Sequence, residues 1–102
     1  MPKVYEVDGS KMPSLDAFFD QISAQVIPGV PWGRNLHAFD DILRGGFGTP
    51  EPRDGFVLRW TNANLARISL GEKTYATLLE IIRTHGVGGD EATDHVELEL
   101  VP

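Results

Sequence analysis

The sequence predicts an α/β fold, a small three-stranded parallel sheet with three to four helices mainly on one face. Three observations carry this expectation. Short runs with strand character stand at the two ends and in the middle of the chain, at Lys3 to Val7, Phe56 to Trp60 and Val96 to Val101. Between them lie segments whose apolar residues recur at helical spacing. Each helical connection is long enough to cross over and return a parallel neighbour. With 102 residues, 41% hydrophobic and 24% charged, the chain fits a single domain over 1–102 that buries one core without disulfides or a structural metal.

Lys3 to Val7 alternates apolar and polar residues before the turn pair Asp8-Gly9, which reads as a first strand. Ser14 then offers an N-cap, and Leu15, Phe18, Phe19, Ile22 and Val26 fall at i, i+3, i+4, i+7 and i+11, the stripe of an amphipathic helix. That helix ends by Ile27, because Pro28 lacks the amide its ladder needs. A second, short helix follows a stretch dense in Pro and Gly. Asn35 caps it, Leu36, Phe39 and Leu43 form its buried stripe with Ala38 and Ile42 alongside, and Gly45-Gly46 stop it. Arg44 to Gly55, rich in Gly, Pro and charge, reads as a long exposed loop around Phe47.

Phe56 to Trp60 is an apolar run broken only by Arg59, the pattern of a central strand buried on both faces. Thr61 to Asn64 starts a short helix carrying Leu65, Ile68 and Leu70. A longer helix spans Glu72 to His85 on Tyr75, Leu78, Leu79 and Ile82, with Gly86 placed for a left-handed cap. Val96, Leu98 and Leu100 alternate with Glu97 and Glu99 in a last strand with one apolar and one acidic face.

Fifteen acidic residues against nine basic ones give a net charge of −6. Nine dispersed bases form no stripe that could displace phosphate counterions, so nucleic acid is not the expected partner and a basic protein is. The absence of Cys excludes thiolate metal sites and Cys nucleophiles and fits a reducing compartment. The opening residues lack the basic and apolar regions of a secretion signal, and no apolar run approaches a membrane span, so a cytoplasmic location is expected.

Catalytic patterns are poorly represented. No serine sits in a nucleophile elbow, and Gly45 to Gly48 follows a helix rather than joining a strand to one, the reverse of a phosphate loop. His85, Asp90, Glu91, Asp94 and His95 are five possible metal ligands, and a metal-dependent enzyme built on them is one alternative. The plainer reading makes them solvated residues of a Gly-rich loop. More unusual is the second helix, where His37, Asp40, Asp41 and Arg44 lie at i, i+3, i+4 and i+7, either a solvated face or a binding stripe. Trp32, just before it, either stands exposed as an anchor or folds back onto the core.

The stretch Trp32-Gly33-Arg34-Asn35-Leu36-His37-Ala38-Phe39-Asp40-Asp41-Ile42-Leu43 resembles the recognition segment of barstar-type ribonuclease inhibitors, where an aromatic-Gly-x-Asn-Leu entry leads into a helix with an Asp near its end. The order of strands and helices is similar over nearly the whole chain. The resemblance implies an intracellular antitoxin, not an enzyme, that binds a small basic secreted ribonuclease one to one as a monomer. No cofactor, nucleic acid or membrane is implied. The second helix and its entry loop then plug the nuclease active site, with Asp41 in the place of the family's central Asp.

Gly33 and Asn35 match the entry loop, and Trp32 one of two family tyrosines, the other being replaced by Pro31. His37 stands where the family has a carboxylate and Asp40 where it has Trp. Glu80 neighbours the position of a further family acid, which falls at Ile81. Arg34 adds a positive charge at the rim, and the region after Trp60 is about two residues shorter. The contact set implied is Trp32, Gly33, Asn35, His37, Asp40, Asp41, Arg44, Phe47 and Glu80. A further alternative keeps the scaffold as a binding module for a partner that is not a nuclease.

Overall fold

A computed structural model describes residues 3–44 and 55–102. Strand β1 (Lys3–Asp8) runs through one turn of 3-10 helix, Gly9–Lys11, into α1 (Leu15–Gln25). Helix α2 (Leu36–Arg44) precedes β2 (Phe56–Thr61), α3 (Ala63–Leu70), α4 (Glu72–Thr84), a second 3-10 turn at Ala92–Asp94 and β3 (Val96–Leu100). The strands lie in the order β1-β2-β3, both pairs parallel, as the long crossovers require.

The register explains the layering. Tyr5 lies beside Leu58, which lies beside Leu98, and Val7 beside Trp60, which lies beside Leu100, so one face of the sheet is apolar. Against it pack Phe18, Phe19 and Ile22 of α1, Phe39, Ile42 and Leu43 of α2, and Tyr75, Leu78 and Ile82 of α4, in one core. Trp60 sits at its centre with no exposed surface, its ring 5.1 Å from that of Phe18 and 5.4 Å from that of Tyr75. Its indole N–H finds no hydrogen-bond partner among the described residues. Desolvating that donor costs on the order of 1–3 kcal/mol, which the burial of a large ring system offsets.

On the other face Glu6, Arg59 and Glu99 form a cross-strand row, Arg59 reaching Glu99 at 3.2 Å and Glu6 at 3.9 Å. Strand β2 is therefore central but not buried on both faces. Val57 is buried there, whereas Arg59 is half exposed because opposite charges on both neighbours give it partners at the surface.

Sequence expectations for the helices hold with three corrections. The Ser14 and Asn35 caps form, their side chains accepting from Ala17 N at 3.2 Å and Ala38 N at 2.8 Å. In α2 the buried stripe is Phe39, Ile42 and Leu43, while Leu36, in the first turn, stays exposed. In α3 the core contacts come from Ala63 and Ala66, with Leu70 partly buried against the core as expected, whereas Leu65 and Ile68 face outward. Small residues suit this position because α3 lies tight on the first 3-10 turn. A Cβ on Gly9 would stand 2.1 Å from the Asn62 carbonyl oxygen. Gly86 does not supply a left-handed cap. It is buried because its Cα faces the Val96 carbonyl, where a Cβ would approach to 2.4 Å, and the left-handed glycine of this turn is Gly88.

The end of β1 is held by side chains that hydrophobic periodicity does not reveal. The Gln21 amide accepts from Asp8 N at 2.7 Å and donates to Asp8 O at 2.8 Å, docking α1 on the strand end. The Asp8 carboxylate accepts from Ser10 Oγ at 2.7 Å, Asn62 Nδ2 at 2.9 Å and Ser10 N at 2.9 Å. These bonds, the Ser10 hydroxyl foremost, lower its pKa from 3.8 to about 2. A depressed folded-state pKa stabilises the protein above the unfolded value, and that contribution is lost as pH falls from about 4 through about 2. Asp8→Ala is expected to melt at a lower temperature than the parent at pH 6, with the difference shrinking between pH 4 and 2. A gap that persists unchanged at pH 2 in thermal melts contradicts this account.

Candidate functional site

Most of the residues that the sequence singles out lie on α2 and its approach. The approach is built on α1. Trp32 folds back: its ring stands 5.3 Å from that of Phe19, edge to face, and its Nε1 donates to Ser23 Oγ at 2.7 Å. Part of the indole stays exposed. Arg34 adopts the left-handed conformation, φ 51°, which turns the chain into α2 at a backbone cost of roughly 1–2 kcal/mol. The guanidinium holds this turn by pairing with Asp16 at 2.9 Å and Asp20 at 2.8 Å, and its pKa is raised, Asp16 being the largest cause. Arg34 is therefore not an unmatched charge on the rim, since two α1 carboxylates neutralise it.

Asn35 closes the entry. Its Oδ1 caps α2 and its Nδ2 donates to Gly33 O at 3.3 Å, with the Gly33 Cα close against the same side chain. His37 and Asp41 are exposed on the helix beyond it, and Arg44 closes its last turn, where a cation suits the helix dipole. Phe47 lies outside the described residues. Glu80 is exposed on α4, in a shallow groove shared with Leu79, Arg83, Val87 and Asp90, and makes no ion pair with α2 among the described residues.

Asp40 has a different setting from Asp41. Its Oδ1 meets Nε2 of His85 at 2.6 Å, and the other ring nitrogen, Nδ1, meets Asp94 Oδ2 at 2.6 Å. His85 is fully buried, and the side chains of Asp40 and Asp94 are 25% and 16% exposed. Each ring nitrogen therefore stands at hydrogen-bond distance from a carboxylate oxygen of a different segment. Arg44 joins the same cluster, with Nη2 on Asp40 at 2.9 Å, Nη1 on Asp41 at 2.7 Å, and Nε and Nη2 on Glu91 at 2.8 and 3.2 Å. The Glu91 bonds are the main cause that raises the Arg44 pKa and lowers that of Glu91.

The His85–His95 segment is therefore not a string of solvated loop residues. Asp94 and Glu91 are turned inward by backbone bonds, Glu91 N to Thr84 O at 2.9 Å and Asp94 N to Glu91 O at 3.1 Å. Nor do the five candidate ligands converge, because Asp90 and His95 are exposed. Among the described residues, the group whose ligand atoms do come together is Asp40, His85 and Glu91, all within 4.8 Å. Their spacing suits hydrogen bonds better than a metal: zinc bonds of normal length would hold a ring nitrogen and a carboxylate oxygen about 3.3 Å apart. The gap here is 2.6 Å, and Arg44 already supplies a cation.

The His85 bridge was not recognised from sequence, though a signal for its burial existed. Leu78, Ile82 and His85 fall at i, i+4 and i+7, so the α4 stripe continues onto His85 and places it on the core face. Its partner Asp40 is 45 residues away, a separation at which no local pattern operates.

Trp32→Phe keeps the edge-on ring contact and loses the Ser23 bond. It is expected to destabilise the protein by about 1 kcal/mol in a denaturant titration, and Ser23→Ala by a similar amount. A double variant that loses the sum of the two would show that the two groups are not coupled.

The family model described as Barstar (barnase inhibitor) matches residues 2–101, nearly the whole chain. No curated protein matches the chain.

Proposed function

The chain belongs to the barstar family, described as barnase inhibitors, and from that premise we propose that it binds a small basic secreted ribonuclease one to one and plugs its active site with α2 and the entry loop. The observation that carries the reading is the outer side of α2. An Asn-capped short helix presents Asp41, 51% exposed, beside Arg44, with the partly buried Trp32 at the entry and Glu91 beyond. Four carboxylates, Asp40, Asp41, Glu91 and Asp94, surround two bases, Arg44 and His85.

Asp41 is the group available to a partner's cation. In an interface that excludes water, a carboxylate meeting Arg or Lys makes charge-assisted hydrogen bonds that are often bidentate, and it stands where an RNA phosphate would. No catalytic step is involved. A net charge of −6 speeds encounter with a basic nuclease, an effect that weakens with salt. The nuclease-facing set is Trp32, Gly33, Asn35, His37, Asp41 and Arg44, with Glu80 at its border. The chain acts as a cytoplasmic antitoxin in the cell that makes the nuclease, as a monomeric single domain. No helix among the described residues is long and apolar enough to cross a membrane.

The test is an inhibition titration against a panel of small basic bacterial ribonucleases, including any encoded nearby. Stoichiometric inhibition is expected. Asp41→Ala should weaken it by 100-fold or more, on the order of the 2 kcal/mol and upward of a hot spot. Glu97→Ala, a like charge removed from the exposed sheet face, should leave it nearly unchanged. Equal losses in the two variants would remove α2 from the interface, and no inhibition across the panel would leave the scaffold with a different partner.

A further inference from the structure

We propose that His85 is the positioning residue of the recognition helix: its buried ring ties Asp40, in the middle of α2, to Asp94, and so fixes the face that carries Asp41 against the turn 86–95. The premise stands on geometry, and the consequence for binding rests on the nuclease reading above. Both ring nitrogens are engaged at 2.6 Å, and the ring has no exposed surface. The backbone of the same residue is fixed on both sides. Its N–H donates to Ile82 O at 3.1 Å, ending α4, and its carbonyl accepts from Val96 N at 2.9 Å, starting β3. A ring anchored there cannot follow a rotation of α2, so Asp40 is held in place.

Asp40 and Asp41 thereby differ in role although they are neighbours. Successive helix residues point about 100° apart. Asp40 turns inward to His85, and Asp41 turns outward to Arg44. Arg44 keeps Asp40 and Glu91 as partners when Asp41 moves to a partner's cation, so the exchange leaves no guanidinium without a carboxylate. Asp40 is then a support for the interface and not a contact of it.

The test uses the two amides that each copy one half of the imidazole. Gln places its amide nitrogen near the position of Nε2 and reaches Asp40, while Asn places its amide near Nδ1 and reaches Asp94. Hydrogen exchange is measured on the free full-length protein, and dissociation from an inhibited ribonuclease on the complex. In His85→Asn, amide exchange in residues 39–44 should rise about tenfold or more, and dissociation about tenfold, with the turn 91–95 little changed. In His85→Gln the turn should loosen while α2 and the dissociation rate stay within about threefold of the parent.

The same exchange pattern in both variants, as simple loss of packing would give, overturns the proposal. So does a loosened α2 with unchanged dissociation. Should both variants fail to fold, Asp40→Asn preserves shape and removes the charge facing His85, and unchanged exchange in α2 would equally overturn it. A panel in which no ribonuclease is inhibited defeats the nuclease reading, while the exchange experiment still decides whether His85 positions α2.

Discussion

A histidine with no exposed surface is tolerable only when both ring nitrogens are satisfied, and here two carboxylates on different segments do this. Removing one partner from such a group is far more damaging than its net stabilising value, because a buried charge or donor is left uncompensated. The bridge therefore acts as a constraint. It specifies where α2 and the 86–95 turn sit relative to the end of α4, whatever its net energy. Apolar packing alone would leave that relation looser, since Phe39, Ile42 and Leu43 fix the inner side of α2 but not the exposed one.

The two faces of the molecule handle charge differently. On the open face of the sheet, Arg59 lies between Glu6 and Glu99 in register, an exposed row in which each pair contributes little and the geometry follows from the strands. Around α2 the charges come from three segments and are partly buried, so they set the geometry. The approach loop repeats the pattern on α1, where Arg34 is held in a strained backbone conformation by Asp16 and Asp20. Each time an arginine or histidine ties α2 or its approach to a helix that is already fixed in the core.

Sequence pattern revealed most of the fold, because the sheet and helices rest on short-range periodicity and capping. Ser14, Asn35 and the stripes of α1 and α4 operate within a few residues and appear where expected. The failures also have physical causes. Leu65 and Ile68 have a helical spacing, but α3 approaches Gly9 so closely at Asn62 and Ala66 that small residues face the core at the start of the helix, a condition set by tertiary structure. The inward turn of Asp94 and Glu91, and the pairing of Asp40 with His85, depend on contacts spanning up to 47 residues. The α2 stripe was legible as unusual; which of its aspartates faces inward was not.

That division between neighbouring aspartates bears on how an acidic surface can be both stable alone and ready for a basic partner. Four carboxylates in one place repel one another, and the cluster is tolerable because Arg44 and His85 lie among them. The outermost link, Asp41 to Arg44, is an exposed i,i+3 pair, a kind worth about 0–1 kcal/mol. Giving it up is a small loss. On the nuclease-binding reading it is replaced by a pair in a site without water, where charge-assisted bonds are stronger. The inner links to His85 are short and partly buried and are retained. The arrangement thus stores its order in Asp40 and leaves Asp41 available, so recognition does not require the helix to rearrange.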